Sequence, residues 1–131
     1  MKRIGERKQT YLAIALAFAS SLAFAAPVAA QQEPPSYQAS PDIYKVISEN
    51  EHFRVIQAHW KPGERDAWHS HAGPGVLYWL TDCNSRNYSP NGKFREGNSK
   101  KGSVAFFPVV ASHSVENTGA SDCEMVIVEP K

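Results

Sequence analysis

From Ile43 onward the chain breaks into short stretches of alternating apolar and polar residues, none longer than eight. In order they are IYKVIS (Ile43–Ser48), FRVIQAHW (Phe53–Trp60), DAWHSH (Asp66–His71), GVLYWLT (Gly75–Thr81), SRNYS (Ser85–Ser89), KFREG (Lys93–Gly97), SVAFFP (Ser103–Pro108), SHSVEN (Ser112–Asn117) and CEMVIV (Cys123–Val128). Val, Ile, Phe, Tyr and Trp are frequent in them, and Gly, Pro, Asn or Asp bounds most, which is the pattern of half-buried strands. No stretch after residue 30 carries a helical period. Many short strands at regular spacing predict an all-β antiparallel sandwich or barrel. The clearest turn is SPNGK, where Pro90 presets φ and Gly92 tolerates φ > 0. It predicts an exposed hairpin between Arg86–Ser89 and Phe94–Gly97.

The N-terminal region has another texture. Lys2, Arg3, Arg7 and Lys8 precede an apolar run from Tyr11 to Ala26, and PVAA follows. This is the layout of a secretory signal peptide over residues 1–30, cut after Ala30, with Val28 and Ala30 as the small residues at the cleavage site. The run falls short of the ~20 apolar residues of a membrane span, so no membrane anchor is expected. The protein is therefore expected in the periplasm or outside the cell. Gln31–Asp42, polar and proline-rich, reads as a flexible arm. Residues 43–131 read as the folded domain.

Charge adds little. The formal net charge is +1, and removing residues 1–30 takes away four basic residues and one acid, leaving −2. So mild a balance points to neither nucleic acid nor an anionic membrane. Between Asn84 and Lys101, five basic residues face one acid, Glu96. That reads as a solvated hairpin whose charges blunt edge pairing. Two cysteines, Cys83 and Cys123, are either a disulfide permitted by export or two buried thiols.

The candidate chemistry lies in histidines. Side chains at i and i+2 of a strand share a face, so His69 and His71 project together. Two neutral imidazoles on one face form a bidentate grip on a divalent metal, and His113, on a later predicted strand, is the natural third ligand.

Here the residues resemble the cupin superfamily. Its first motif runs G-x5-H-x-H-x3,4-E-x6-G, matched by Gly63, His69 and His71. Its second runs G-x5-P-x-G-x2-H-x3-N, matched by Gly102, Pro108, His113 and Asn117, with Val110 in place of the inner glycine. The resemblance spans roughly Ile43–Val128 and implies a cupin-type jelly-roll antiparallel β-barrel. The motif glutamate is missing: its position falls at Gly75, and the first motif's closing glycine is also absent. A glycine at that point would enlarge the cavity beside the metal. A substitute acid from Glu64, Asp66 or Asp82 stays open. The resemblance implies a divalent ion (Fe, Zn, Mn, Ni or Cu) on His69, His71 and His113, and two functions follow. One is a metal-dependent, dioxygenase-like enzyme acting on a small molecule. The other is a non-catalytic small-molecule or metal-binding module. A homodimer through an edge strand is a further expectation.

Other residues carry less. His59 reads as a packed or surface histidine, Leu77 and Trp79 as inward-facing, and Asn117 as a support of strand geometry. Arg54 and Gln57 are weaker candidates for polar contacts in a pocket.

Overall fold

The computed structural model describes residues 32–131; the predicted signal peptide lies outside them. Nine strands form: β1 (Tyr44–Glu49), β2 (Phe53–Trp60), β3 (His69–His71), β4 (Gly75–Trp79), β5 (Cys83–Tyr88), β6 (Phe94–Ser99), β7 (Val104–Phe107), β8 (Val110–Asn117) and β9 (Cys123–Pro130). Each overlaps one of the nine stretches of alternation. They build two antiparallel sheets, one ordered β1-β2-β9-β4-β7 and the other β3-β8-β5-β6. The all-β expectation holds.

Alternation sorts the side chains. In β9, Cys123, Met125, Ile127 and Glu129 are buried while the residues between them are half-buried. In β2, Ile56, Ala58 and Trp60 point the same way. With Ile43, Tyr44 and Cys83 these form the core, and Leu77, Trp79, Phe107 and Val115 pack against it. Full burial of a side chain as large as Ile56 or Trp60 is worth roughly 1.5–3 kcal/mol each. Tyr44 meets Trp60 edge to face, with centroids 5.2 Å apart, a geometry that adds about 1 kcal/mol beyond area.

A disulfide joins Cys83 of β5 to Cys123 of β9, Cα atoms 5.1 Å apart. It ties one sheet to the other. The two motif glycines occupy turns: Gly63 has φ 76° and Gly102 has φ 80°, a region where a side chain is strained. Asn117 is buried and its amide donates to the carbonyls of Trp60 and Ser121, so it pins the end of β8 to the end of β2. The β5–β6 hairpin forms at the predicted turn and is exposed; Arg86 pairs with Glu96 at 2.6 Å.

One expectation is corrected. Within the stretch read as a flexible arm, residues 33–40 are docked on the sheets. Residues Ser36–Ala39 form one helical turn, α1, with Ser36 fully buried. Pro35 bridges to Ser70, the Ser70 amide donates to the Pro34 carbonyl at 2.9 Å, and the Ser70 hydroxyl donates to the Glu33 carbonyl at 2.6 Å. Polar composition suggested solvation, but backbone carbonyls here satisfy donors of β3 that no neighbouring strand reaches.

Candidate metal centre

The short strand β3 pairs with β8, and its register sets His69 opposite His113. Strand pleat then turns His71 to the same side. The three rings cluster with centroid separations of 4.3 Å (His69–His113), 5.1 Å (His69–His71) and 5.2 Å (His71–His113). One ring nitrogen of each lies within 4.8 Å of the others.

Each ring is held from behind. The Nδ1 of His69 lies 2.9 Å from the Ala67 carbonyl, that of His71 lies 2.8 Å from the Glu129 carboxylate, and that of His113 lies 3.2 Å from the Asn87 Oδ1. All three partners are acceptors, so each Nδ1 carries the proton and donates it. Each Nε2 is then left with a lone pair. This is how metal-binding histidines are oriented by their outer partners. The Nε2 of His113 is buried without a hydrogen-bond partner. A buried polar atom with no partner is costly unless something else occupies its lone pair. The residues present therefore fit a divalent ion.

The electrostatics favour neutral ligands. Burial, then the neighbouring His69 and His71, push His113 down to about 3. Burial also lowers His69, against the pull of Asp66 and the Ala67 carbonyl. A ring that stays unprotonated keeps its lone pair for a metal.

Two buried carboxylates stand behind the rings rather than among them. Glu129 is 3% exposed. Asp66 accepts from the Tyr44 hydroxyl at 2.6 Å, the Val115 amide at 2.6 Å and the Trp60 indole at 3.3 Å, and lies 3.6 Å from His69 Nδ1. Burial raises the Asp66 carboxyl despite these donors. Burial and the Asp66 charge hold Tyr44 well above its usual range, so its hydroxyl stays a donor. Of the substitute acids considered, Glu64 instead accepts the Lys61 amide and Asp82 accepts the Lys101 amide, both in turns. Neither approaches the histidines.

Gly75 does not open a space beside the histidines. A Cβ at that position would lie 2.3 Å from Phe107 Cζ and 2.6 Å from the Val128 carbonyl oxygen. Phe107 fills the room a glutamate side chain would need, and its ring sits 4.9 Å from that of His71. The place of the motif glutamate is occupied by the Phe107 ring.

His71 and His113 open on a cavity of about 410 Å³. Leu77, Trp79 and Phe107 give it an apolar wall; Asn87, Ser112 and Arg95 give it a polar one. No carboxylate lines it. The inward reading of Leu77 and Trp79 is met. His59 is a surface residue, 2.7 Å from Asp122, and Arg54 pairs with Glu49 away from the histidines. Gln57 does not line the cavity.

Glu129 and Asn87 were not read from the sequence as site residues. A signal existed for Glu129: carrying the alternation of Cys123, Met125 and Ile127 one step further puts an acid on the inward face.

These features define an all-β fold of two antiparallel sheets carrying a histidine cluster that could hold a metal. Among solved structures it is similar to a cupin domain from Bordetella pertussis Tohama I, at 23% identity, 77% of this chain, 98% of that chain and TM-score 0.63. An RmlC-like cupin family protein with a double-stranded β-helix fold from Methanocaldococcus jannaschii matches at 15% identity, 67% and 78% coverage, and TM-score 0.55. A conserved protein with a double-stranded β-helix domain from Klebsiella pneumoniae matches at 23% identity, 67% and 76% coverage, and TM-score 0.54. No family model and no curated protein matches the chain. The chain has the cupin fold.

Proposed function

We propose that this protein is an exported metal-dependent enzyme acting on a small molecule. His69, His71 and His113 hold one divalent ion, and the adjoining cavity receives the substrate. The observation that carries the reading is the convergence of three histidine nitrogens, one of them buried and unpartnered, beside a cavity of about 410 Å³ that His71 and His113 line. That volume is within the usual range of small-molecule sites. When bound, the ion would supply Lewis acidity or, as Fe(II), Mn, Ni or Cu, a centre for oxygen chemistry. The chain's own part is to hold the three rings neutral and oriented, and to shield one side with Phe107. Export is supported by the leader-like N-terminal segment and by the Cys83–Cys123 disulfide, which suits an oxidising compartment.

One observation favours a second reading, a non-catalytic binding module. No carboxylate lines the cavity, and the Tyr44 hydroxyl is engaged by Asp66. Proton transfer would have to use water or the histidines themselves. Elemental analysis of protein purified from the periplasm, alongside the His113→Ala variant, tests the metal. One equivalent in wild type, lost in the variant, is expected; substoichiometric metal in both overturns it. Oxygen uptake by the loaded protein with candidate thiols or diketones separates enzyme from binder.

A further inference from the structure

Arg95 stands apart from the other arginines of the folded region. Arg54 is held by Glu49, Arg65 by Ser114 and Arg86 by Glu96. Arg95 has no side-chain hydrogen bond or ion pair among the described residues, and it lines the histidine cavity. It is the one side chain of fixed charge there.

Its placement follows from register. On the β5–β6 hairpin, Arg95 lies opposite Asn87, and Ser85 lies opposite Gly97. Cross-strand partners share a face, and Ser85, Asn87 and Arg95 all line the cavity. The intervening pair, Arg86 with Glu96, is on the outer face and satisfies itself. Asn87 in turn contacts His113. Arg95 is thus one cross-strand step from a residue that touches a metal-binding ring. Strands lie about 4.8 Å apart, so the backbones of β8 and β6, two steps apart, are separated by about 10 Å. An arginine side chain leaning inward leaves room for a body of a few bonds between guanidinium and histidines.

The charge pattern selects the ligand. Neutral histidines leave a divalent ion its positive charge, Arg95 adds another, and no carboxylate lines the cavity. Glu129 and Asp66 lie behind the rings. The opposite wall is apolar, from Leu77, Trp79, Phe107 and Ile127.

We propose that the molecule taken up here is a small organic carboxylate with a short apolar body, its charged end held by Arg95 and its other end facing His71 and His113. This rests on the metal reading above and names the substrate class. A guanidinium pairs with a carboxylate through two parallel hydrogen bonds, which gives orientation as well as affinity.

The test is calorimetric titration of zinc-loaded protein with straight-chain dicarboxylates from malonate to adipate, each set against its neutral diamide. Wild type, Arg95→Gln and Lys93→Gln are compared after elemental analysis of each. At least one dicarboxylate binds wild type ten times more tightly than its diamide. Arg95→Gln loses about tenfold for that ligand while keeping its zinc, and Lys93→Gln, a charge change on the same hairpin outside the cavity, loses nothing. Equal binding by Arg95→Gln and wild type, or no preference for any dicarboxylate over its diamide, overturns the proposal. If wild type takes up no zinc, the metal reading fails by itself. The same titration of the metal-free protein then decides the anion site: a tenfold loss in Arg95→Gln upholds it, and its absence overturns it.

Discussion

Replacing Gly75 by alanine adds one methyl group, and the structure has no place for it. The added carbon would lie 2.3 Å from Phe107 Cζ, 2.6 Å from Phe107 Cε1 and 2.6 Å from the Val128 carbonyl oxygen. The first two contacts are relieved if the Phe107 ring swings away, which displaces it from His71. The third is backbone on the paired strand β9, so relief requires the β4–β9 ladder to shift. Overpacking of this kind costs about 1–3 kcal/mol, and the backbone contact puts Gly75→Ala at the upper end, ~3 kcal/mol. For a domain of this size that is a fall in melting temperature on the order of 10–20 °C. Phe107→Leu alone should cost about 1 kcal/mol through lost packing. In the double variant the ring contact is gone and only the backbone clash persists. The two changes should therefore couple by about 1 kcal/mol in a double-mutant cycle followed by urea denaturation. A Gly75→Ala protein within 0.5 kcal/mol of wild type would refute the account of Gly75 as a packing requirement. It would return the position to a vacancy left by a lost ligand.

Three further outcomes are expected. Glu129→Gln keeps an acceptor for His71 Nδ1 but removes its charge, so metal affinity should fall about 10–100-fold with unchanged circular dichroism, measured by competition with a chelator. The metal-free protein should lose stability as pH falls from about 6.5 towards 3. Across that window unfolded His113 takes up a proton that the folded ring, held down at about 3, refuses. Unfolding free energies from urea denaturation at pH 7 and pH 4 should differ by on the order of 3 kcal/mol more in wild type than in His113→Gln, and an equal pH dependence in the two proteins would count against the burial of that ring. Replacing Cys83 and Cys123 together by alanine should cost up to ~4 kcal/mol, the loop-closure value for a sequence separation of 40, read as a lower melting temperature that reductant no longer changes.

Much of this was legible in the residue order, for local reasons. A period of two marks each strand regardless of its partner, so all nine could be placed from alternation and turn residues. The i, i+2 spacing of His69 and His71 fixes their common direction within one strand. What escaped depends on pairing between distant segments. Nothing near Gly75 reveals that Phe107, on β7, occupies its space. Asn87 sits in a polar strand that shows no inward face by hydropathy. The docking of Pro34–Ser40 rests on main-chain carbonyls, which every residue carries and no composition displays.

That docked segment moves the effective boundary of the candidate metal centre. The carbonyls of Glu33 and Pro34 hold both donors of Ser70, the residue between His69 and His71. A polypeptide begun at Ile43, where the strand pattern starts, would keep every ligand and still leave Ser70 without the acceptors that fix its backbone. The loss would register as weaker zinc retention and faster amide exchange at Ser70, in a protein whose spectrum still reports a full complement of strands. For whoever trims this chain for crystallisation or display, the safe cut lies ahead of Glu33.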